Sequence, residues 1–135
     1  MLQRFAAAYL GGAIGALANS LTVWLLAEAH LLAQVGIKVH PELTWKWIAH
    51  RLLWGSIWGL GYPLVKLAEK QPWKAGLLLS LAPTAAQLFY FYPRSGSGMA
   101  GLEAGTFTPA LVLLANGLWG LVTAYAATAA GGRQS

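Results

Sequence analysis

The stretch Trp45–Pro63, with the sequence WKWIAHRLLWGSIWGLGYP, carries an arginine inside an apolar run. On an α-helix, Arg51, Gly55 and Gly59 are four residues apart and share one face. Glycines at this spacing let a second helix approach closely, as is common between membrane helices. The pattern therefore predicts that Arg51 faces protein, where its charge needs a polar partner or a water-filled pocket.

Four apolar runs have the length of membrane-crossing helices. They cover residues 5–27, 45–65, 73–92 and 107–129. A bilayer core needs about 20 residues per helix, and the chain is only 10% charged, whereas a soluble domain carries roughly 25%. We therefore expect an all-α, polytopic membrane protein, with a single transmembrane domain over residues 1–135 and four helices in two antiparallel hairpins. The first run is longer than the apolar core of a signal peptide, which favours a retained helix.

The basic residues indicate an orientation rather than a nucleic-acid partner. The net charge is +5, but the lysines and arginines are scattered between apolar runs and form no basic stripe. Lys66, Lys70 and Lys74 cluster around the link between the second and third helices. Because basic residues stay on the cytoplasmic side, we expect both termini and this link in the cytoplasm of a bacterial inner membrane.

Each predicted helix carries one amide or hydroxyl group near its centre. These residues are Asn19, Ser56, Gln87 and Asn116. Polar groups in hydrocarbon must find partners, so we expect the four helix faces to converge. The resulting seam is either interhelical hydrogen bonding alone or a polar path for a solute across the membrane.

Several glycines are predicted to form the helix-packing faces. They are Gly11, Gly15, Gly55, Gly59 and Gly120. In addition, LLWGSIWGL at 52–60 matches LLANGLWGL at 113–121, an offset of 61 residues. This match indicates either a duplicated hairpin or chance similarity between apolar helices.

Arg51 is the proposed centre of the site, beside His50 and below the glycine-rich loop 93–106. Glu103 or Glu28 is the expected carboxylate partner, because these acids fall on the same predicted side of the membrane. A guanidinium keeps its charge and offers a planar fork of donors to a carboxylate or an anionic solute. The alternatives are a solute site and a structural Arg–Glu clamp that pins the loop.

The runs HRLLWGSIWGL, SLAPTAAQLFYFYP and GMAGLEAGTFTPALVLLANGLWGL together span most of residues 50–125. They resemble segments of a group of small bacterial four-helix inner-membrane proteins. The resemblance implies the fold and the localisation, and it carries over no activity and no functional residue.

Three classes of function follow from these features. The first is a channel or transporter that moves a small, possibly anionic, solute through the polar seam. The second is a structural or accessory subunit that uses its glycine faces to bind another membrane protein, and a homo-oligomer would use the same faces. An enzyme acting on lipid ranks last, because only His50, Arg51 and Glu103 offer chemistry and no acid–base pair is evident. The chain has no cysteine, and no metal-ligand spacing or cofactor is predicted.

Overall fold

A computed structural model describes residues 2–68 and 70–131, and every regular element within these ranges is helical. The α-helices are α1 (Leu2–Glu28), α2 (Leu31–Gln34), α3 (Trp45–Gly59), α4 (Pro72–Ala86), α5 (Tyr92–Arg94) and α6 (Thr108–Gly131). Short 3₁₀ turns occupy Tyr62–Leu64, Lys66–Ala68 and Met99–Ala104. A π-helical segment, Gln87–Phe91, joins α4 to α5 without a break.

Three of these helical stretches are long and apolar enough to cross a membrane: Leu2–Glu28, Pro72–Arg94 and Thr108–Ala130. The second predicted helix is shorter than expected. It ends at Gly59, not at residue 65, because the backbone N–H groups of Leu60 and Gly61 bond to carbonyls three residues back and tighten the turn. Pro63 follows inside a 3₁₀ turn and supplies no N–H to continue an α-helix.

The outside of the bundle is apolar. Exposed large side chains form the outer face of α1: Leu10, Ile14, Leu17, Leu21 and Leu25. Its buried residues are instead mostly small ones, chiefly alanine and glycine. Large apolar residues outside and small residues inside are what a helix bundle in lipid requires, since lipid is as apolar as the side chains.

Helix α1 packs through two adjacent small-residue faces. Gly12 meets α3, where an added Cβ would collide with the carbonyl of Gly55. Gly11 and Gly15 meet α6, where a Cβ on Gly11 would lie 2.8 Å from the Thr123 carbonyl oxygen. Helix α6 in turn packs on α4, so the helices follow the order α3, α1, α6, α4.

The glycines related by the 61-residue offset have matching roles. Gly59 of α3 packs on Gly12 of α1, and Gly120 of α6 packs on Gly76 of α4. Each hairpin therefore has a glycine–glycine crossing, at corresponding positions of α3 and α6.

The two longer connections, residues 29–44 and 95–107, meet at one end of the bundle. The Lys38 backbone N–H donates to the Ala104 carbonyl at 2.6 Å. Gly105 has φ 150° and lies against the Gly36 carbonyl, where a side chain has no room. We call this end of the bundle the loop end.

Candidate functional site: an arginine-centred polar layer

A continuous hydrogen-bonded group of side chains crosses the bundle. We call it the polar layer, and its members are Asn19, Ser20, Arg51, Thr84, Gln87, Tyr92 and Asn116. On one side, the Arg51 guanidinium donates from Nε to Ser20 Oγ at 2.6 Å and from Nη2 to Asn19 Oδ1 at 3.0 Å. These bonds tie α3 to α1.

The layer continues through α6 to the α4 stretch. Asn19 Nδ2 donates to Asn116 Oδ1 at 3.0 Å. Asn116 Nδ2 then reaches Thr84 Oγ1 at 3.2 Å and Gln87 Oε1 at 3.3 Å. Gln87 Nε2 donates to the Tyr92 hydroxyl at 3.2 Å. Helices α1, α3 and α6 and the Pro72–Arg94 stretch thus contribute to one network.

The π-helical segment explains how Gln87 and Tyr92 meet. The Tyr92 backbone N–H bonds to the Gln87 carbonyl, five residues back. In such a wide turn, residues five apart lie on the same face, whereas an α-helix brings residues three or four apart together. Pro83 lies one turn earlier, so this helix carries two local irregularities beside the site.

Arg51 has neutral partners. Besides Ser20 and Asn19, its guanidinium lies over the Trp47 ring, 5.0 Å from the centroid. Within the described ranges it forms no ion pair, so the expected pairing with Glu28 or Glu103, and with it the Arg–Glu clamp, is wrong.

The two acids are engaged elsewhere at the loop end. Glu28 Oε1 lies 3.2 Å from His40 Nε2. The exposed Glu103 side chain lies beside Gly98 of its own connection, and its backbone N–H donates to the Ser97 carbonyl. Local turns of the connections therefore take both carboxylates away from the arginine.

A central cavity of about 350 Å³ lies against the polar layer. It is lined by Ala16, Asn19, His50, Arg51, Trp54, Gly55, Trp58, Pro83, Gln87, Phe91, Tyr92, Ser95, Asn116 and Trp119. An arginine has five N–H donors, and two of those on Arg51 are used in the described part of the chain. The other N–H donors of Arg51 could bind a ligand in this cavity.

A second cavity of about 190 Å³, the loop-end cavity, lies toward Val39 and Pro41 of the first connection. Both cavities share five residues of the polar layer: Asn19, Arg51, Gln87, Tyr92 and Asn116. The polar layer is therefore the partition between two spaces.

Three of the four amide or hydroxyl residues predicted to converge, Asn19, Gln87 and Asn116, do so. Ser56 does not, because its hydroxyl donates to the Leu52 carbonyl of its own helix at 2.8 Å. His50 lines the central cavity and makes an edge contact with Trp54, with ring centroids 6.3 Å apart.

Four residues of the site were not predicted as site residues from the sequence: Ser20, Thr84, Tyr92 and Trp119. Ser20 is adjacent to Asn19 on the chain, and the Arg51 side chain is long enough to donate to both. Tyr92 enters the site through its hydroxyl, which accepts from Gln87 across the π-helical segment. Trp119 is buried and donates its indole N–H to the Gly12 carbonyl at 3.1 Å. A tryptophan deep within an apolar helix was the available signal, because a buried indole N–H usually finds an acceptor.

Among residues 2–68 and 70–131, no three histidine or carboxylate side chains come together in a way that would hold a metal ion. Comparisons of the chain with protein-family models, with curated proteins and with solved structures give no match. The resemblance to small bacterial four-helix membrane proteins therefore stays an expectation, and the function must be inferred from the geometry of the site.

Proposed function

We propose that this protein is a channel or transporter for a small anionic solute, which binds at Arg51 and moves between the two cavities. The observation that carries the proposal is a guanidinium whose hydrogen-bonding partners, Ser20 and Asn19, are neutral. An arginine remains charged in an apolar setting. Its charge in a membrane costs about 2.5–3.5 kcal/mol on insertion scales, and a bound anion would offset that cost.

The size and depth of the site fit a small solute. Ligand pockets span roughly 300–1,000 Å³, and the central cavity is about 350 Å³. Asn19 lies nine residues before the end of α1, and Asn116 lies eight residues after the start of α6. At 1.5 Å per residue, the polar layer is about 12–14 Å from the loop end, near the middle of a bilayer core about 30 Å thick.

The position of the partition supports movement rather than binding alone. The loop-end cavity adjoins the first connection through Val39 and Pro41, and the central cavity reaches deeper to Trp58 and Pro83. A solute passing between them must contact the polar layer. The step that selects the solute would be the formation and breaking of its hydrogen bonds with Arg51.

We propose residues 45–64 as the fourth membrane crossing. Helix α3 has 15 residues, about 22 Å, but the following turns extend its path. Tyr62 packs in one cluster with Ala8 of α1 and Ala127 of α6, near the end opposite the loop end. The cluster of Lys66, Lys70 and Lys74 around the same link supports both termini lying in the cytoplasm of a bacterial inner membrane.

The alternative, an accessory subunit, has less support. It needs free glycine faces, but the glycines predicted to form them are buried within the chain's own bundle: Gly11, Gly15, Gly55, Gly59 and Gly120. The same burial also keeps these glycines from forming the contact surface of a homo-oligomer. Mass measurement in lipid nanodiscs tests it directly.

Anion flux from liposomes tests the proposed function. The purified protein is placed in liposomes loaded in turn with chloride, nitrate or phosphate, and efflux is followed with a potassium ionophore to balance charge. Losing a hydrogen bond to a charged group costs about 1.5–3 kcal/mol, so Arg51→Gln should slow flux of the preferred anion about tenfold or more. Arg94→Gln is the matched control, since Arg94 is exposed and stacks on Tyr90. Equal flux through the wild type and Arg51→Gln would refute the proposal.

A further inference from the structure

On each helix that lines the central cavity, a polar side chain of the polar layer lies nearer the loop end than an apolar lining residue. On α1 and α6, Asn19 and Asn116 lie nearer the loop end than Ala16 and Trp119. The Trp119 indole N–H is already bonded to a backbone carbonyl, so it offers the cavity no donor.

The same change occurs on the other two helices. Arg51 of α3 lies nearer the loop end than Trp58, and Gln87 lies nearer the loop end than Pro83. The cavity thus has a polar half with a guanidinium and a deeper half walled by aromatic and proline rings. A ligand that fits both halves carries an anionic head and an apolar part.

The deeper half lies between α3 and α4, which are the two ends of the packing order α3, α1, α6, α4. Trp54 and Phe91 meet across this boundary as a pair of rings 6.3 Å apart at 64°. Both residues are exposed, at 40% and 46%. Beyond the end of α3, Gly61 lies beside Leu79. Trp58 and Pro83 lie between these two contacts, so the cavity borders the outer, apolar surface of the bundle there.

We propose that the ligand of the central cavity is a phosphate-headed lipid from the surrounding bilayer. It enters sideways between α3 and α4, with its phosphate at Arg51 and its chain along Trp58 and Pro83. This inference rests on the proposed anion site at Arg51 and adds a lipid phosphate to the small anions that the site accepts. The guanidinium suits a phosphate because its fork of N–H donors matches two phosphate oxygens. The apolar half suits an acyl or prenyl chain because its burial removes apolar surface from water.

The test uses a dodecyl phosphate with a photoreactive diazirine on its chain, added to the protein in phosphatidylcholine nanodiscs. After illumination, peptide mass spectrometry locates and quantifies the labelling. We expect labelling on peptides that contain Trp58 and Pro83. Unlabelled dodecyl phosphate should compete at a concentration at least a hundredfold below that of inorganic phosphate, and dodecanol should compete poorly.

Two variants and two controls distinguish binding of the phosphate head from binding of the apolar chain. Arg51→Gln and Trp58→Ala should each reduce specific labelling about tenfold. Arg94→Gln and Trp45→Ala should leave it unchanged, since Arg94 and Trp45 are exposed and lie outside the cavity lining. Two variants on different sides of the cavity keep the test valid if one of them fails to fold.

Each outcome has a defined meaning. Labelling spread over all outward-facing leucines, with no effect of either variant, overturns the lipid inference. Competition by inorganic phosphate at the same concentration as dodecyl phosphate also overturns it, but leaves the anion site of the proposed function in place. Failure of the proposed function is seen separately, as anion flux that does not depend on Arg51.

Discussion

The side-chain amide of Asn19 donates a hydrogen bond to the side-chain oxygen of Asn116 at 3.0 Å, and this contact joins the two hairpins through polar groups. The bonds on either side run in the same direction. Arg51 donates to Asn19, Asn116 donates to Gln87, and Gln87 donates to Tyr92. Each amide oxygen therefore points back toward the guanidinium, so the aligned amide dipoles stabilise the positive charge of Arg51.

The asparagine pair should be measurable by a double-mutant cycle. Asn19→Leu and Asn116→Leu each break the network, and the double variant removes both halves of the bond. Interhelical hydrogen bonds in membranes are worth about 0.6 kcal/mol and up to about 1.7. We expect a coupling energy in that range for unfolding in mixed micelles.

Thr22→Val is the control for the asparagine cycle. The Thr22 hydroxyl bonds to the Ala18 carbonyl of its own helix, so it should show no coupling with Asn116. A coupling energy of zero between Asn19 and Asn116 would show that their contact contributes nothing to stability.

The crossing of α1 and α3 should not tolerate a side chain at Gly12. Gly12→Ala places a Cβ against the Gly55 carbonyl, where backbone must move to make room. Overpacking of this kind costs about 1–3 kcal/mol. Thermal unfolding in detergent measures the effect as a lower midpoint.

Gly117→Ala is the matched control on α6. The nearest atom to an added Cβ there is Leu77 Cδ2, at an ordinary contact distance of 3.7 Å. This variant should be neutral or slightly stabilising, because alanine favours a helix by about 1 kcal/mol over glycine. Equal destabilisation by the two variants would argue against the close α1–α3 crossing.

Glu103 should be dispensable for the site. Glu103→Gln removes an exposed charge that does not contact Arg51, so anion flux should change less than twofold, within about 0.4 kcal/mol. The liposome assay of the wild type provides the comparison. A loss of flux as large as that of Arg51→Gln would restore the Arg–Glu pairing that the structure lacks.

Reporter fusions test the orientation. Gly98 lies in a connection at the loop end, whereas α6 runs from Thr108 toward the opposite end. With four crossings, a fusion after Gly98 should report the periplasm and a fusion at the C-terminus the cytoplasm. Reports from the same side of the membrane would contradict four crossings.

Much of the fold could be predicted because length and hydropathy alone identify a helix that is long and apolar enough to cross lipid. The three long spans were found in this way, and so was the convergence of Asn19, Gln87 and Asn116, since amides in hydrocarbon need partners. Ser56 does not follow that rule, because a hydroxyl can bond to a carbonyl of its own helix.

Two other predictions failed because of local backbone geometry, which the periodicity of an α-helix does not reveal. The sequence placed Glu28 and Glu103 on the same side of the membrane as Arg51, but the folding of each connection decided where its carboxylate lies. Tyr92 was missed because the π-helical segment changes the spacing of residues on its face.

A crystal structure with a heavy anion tests the central claim most directly. Crystals of the wild-type protein in lipid, grown with iodide or tungstate, reveal bound anions by anomalous scattering. We predict a peak in the central cavity within hydrogen-bonding distance of the Arg51 guanidinium, and no such peak in Arg51→Gln crystals. Anomalous peaks at Lys66, Lys70 or Lys74 with none at Arg51 would contradict the claim that Arg51 is an anion site.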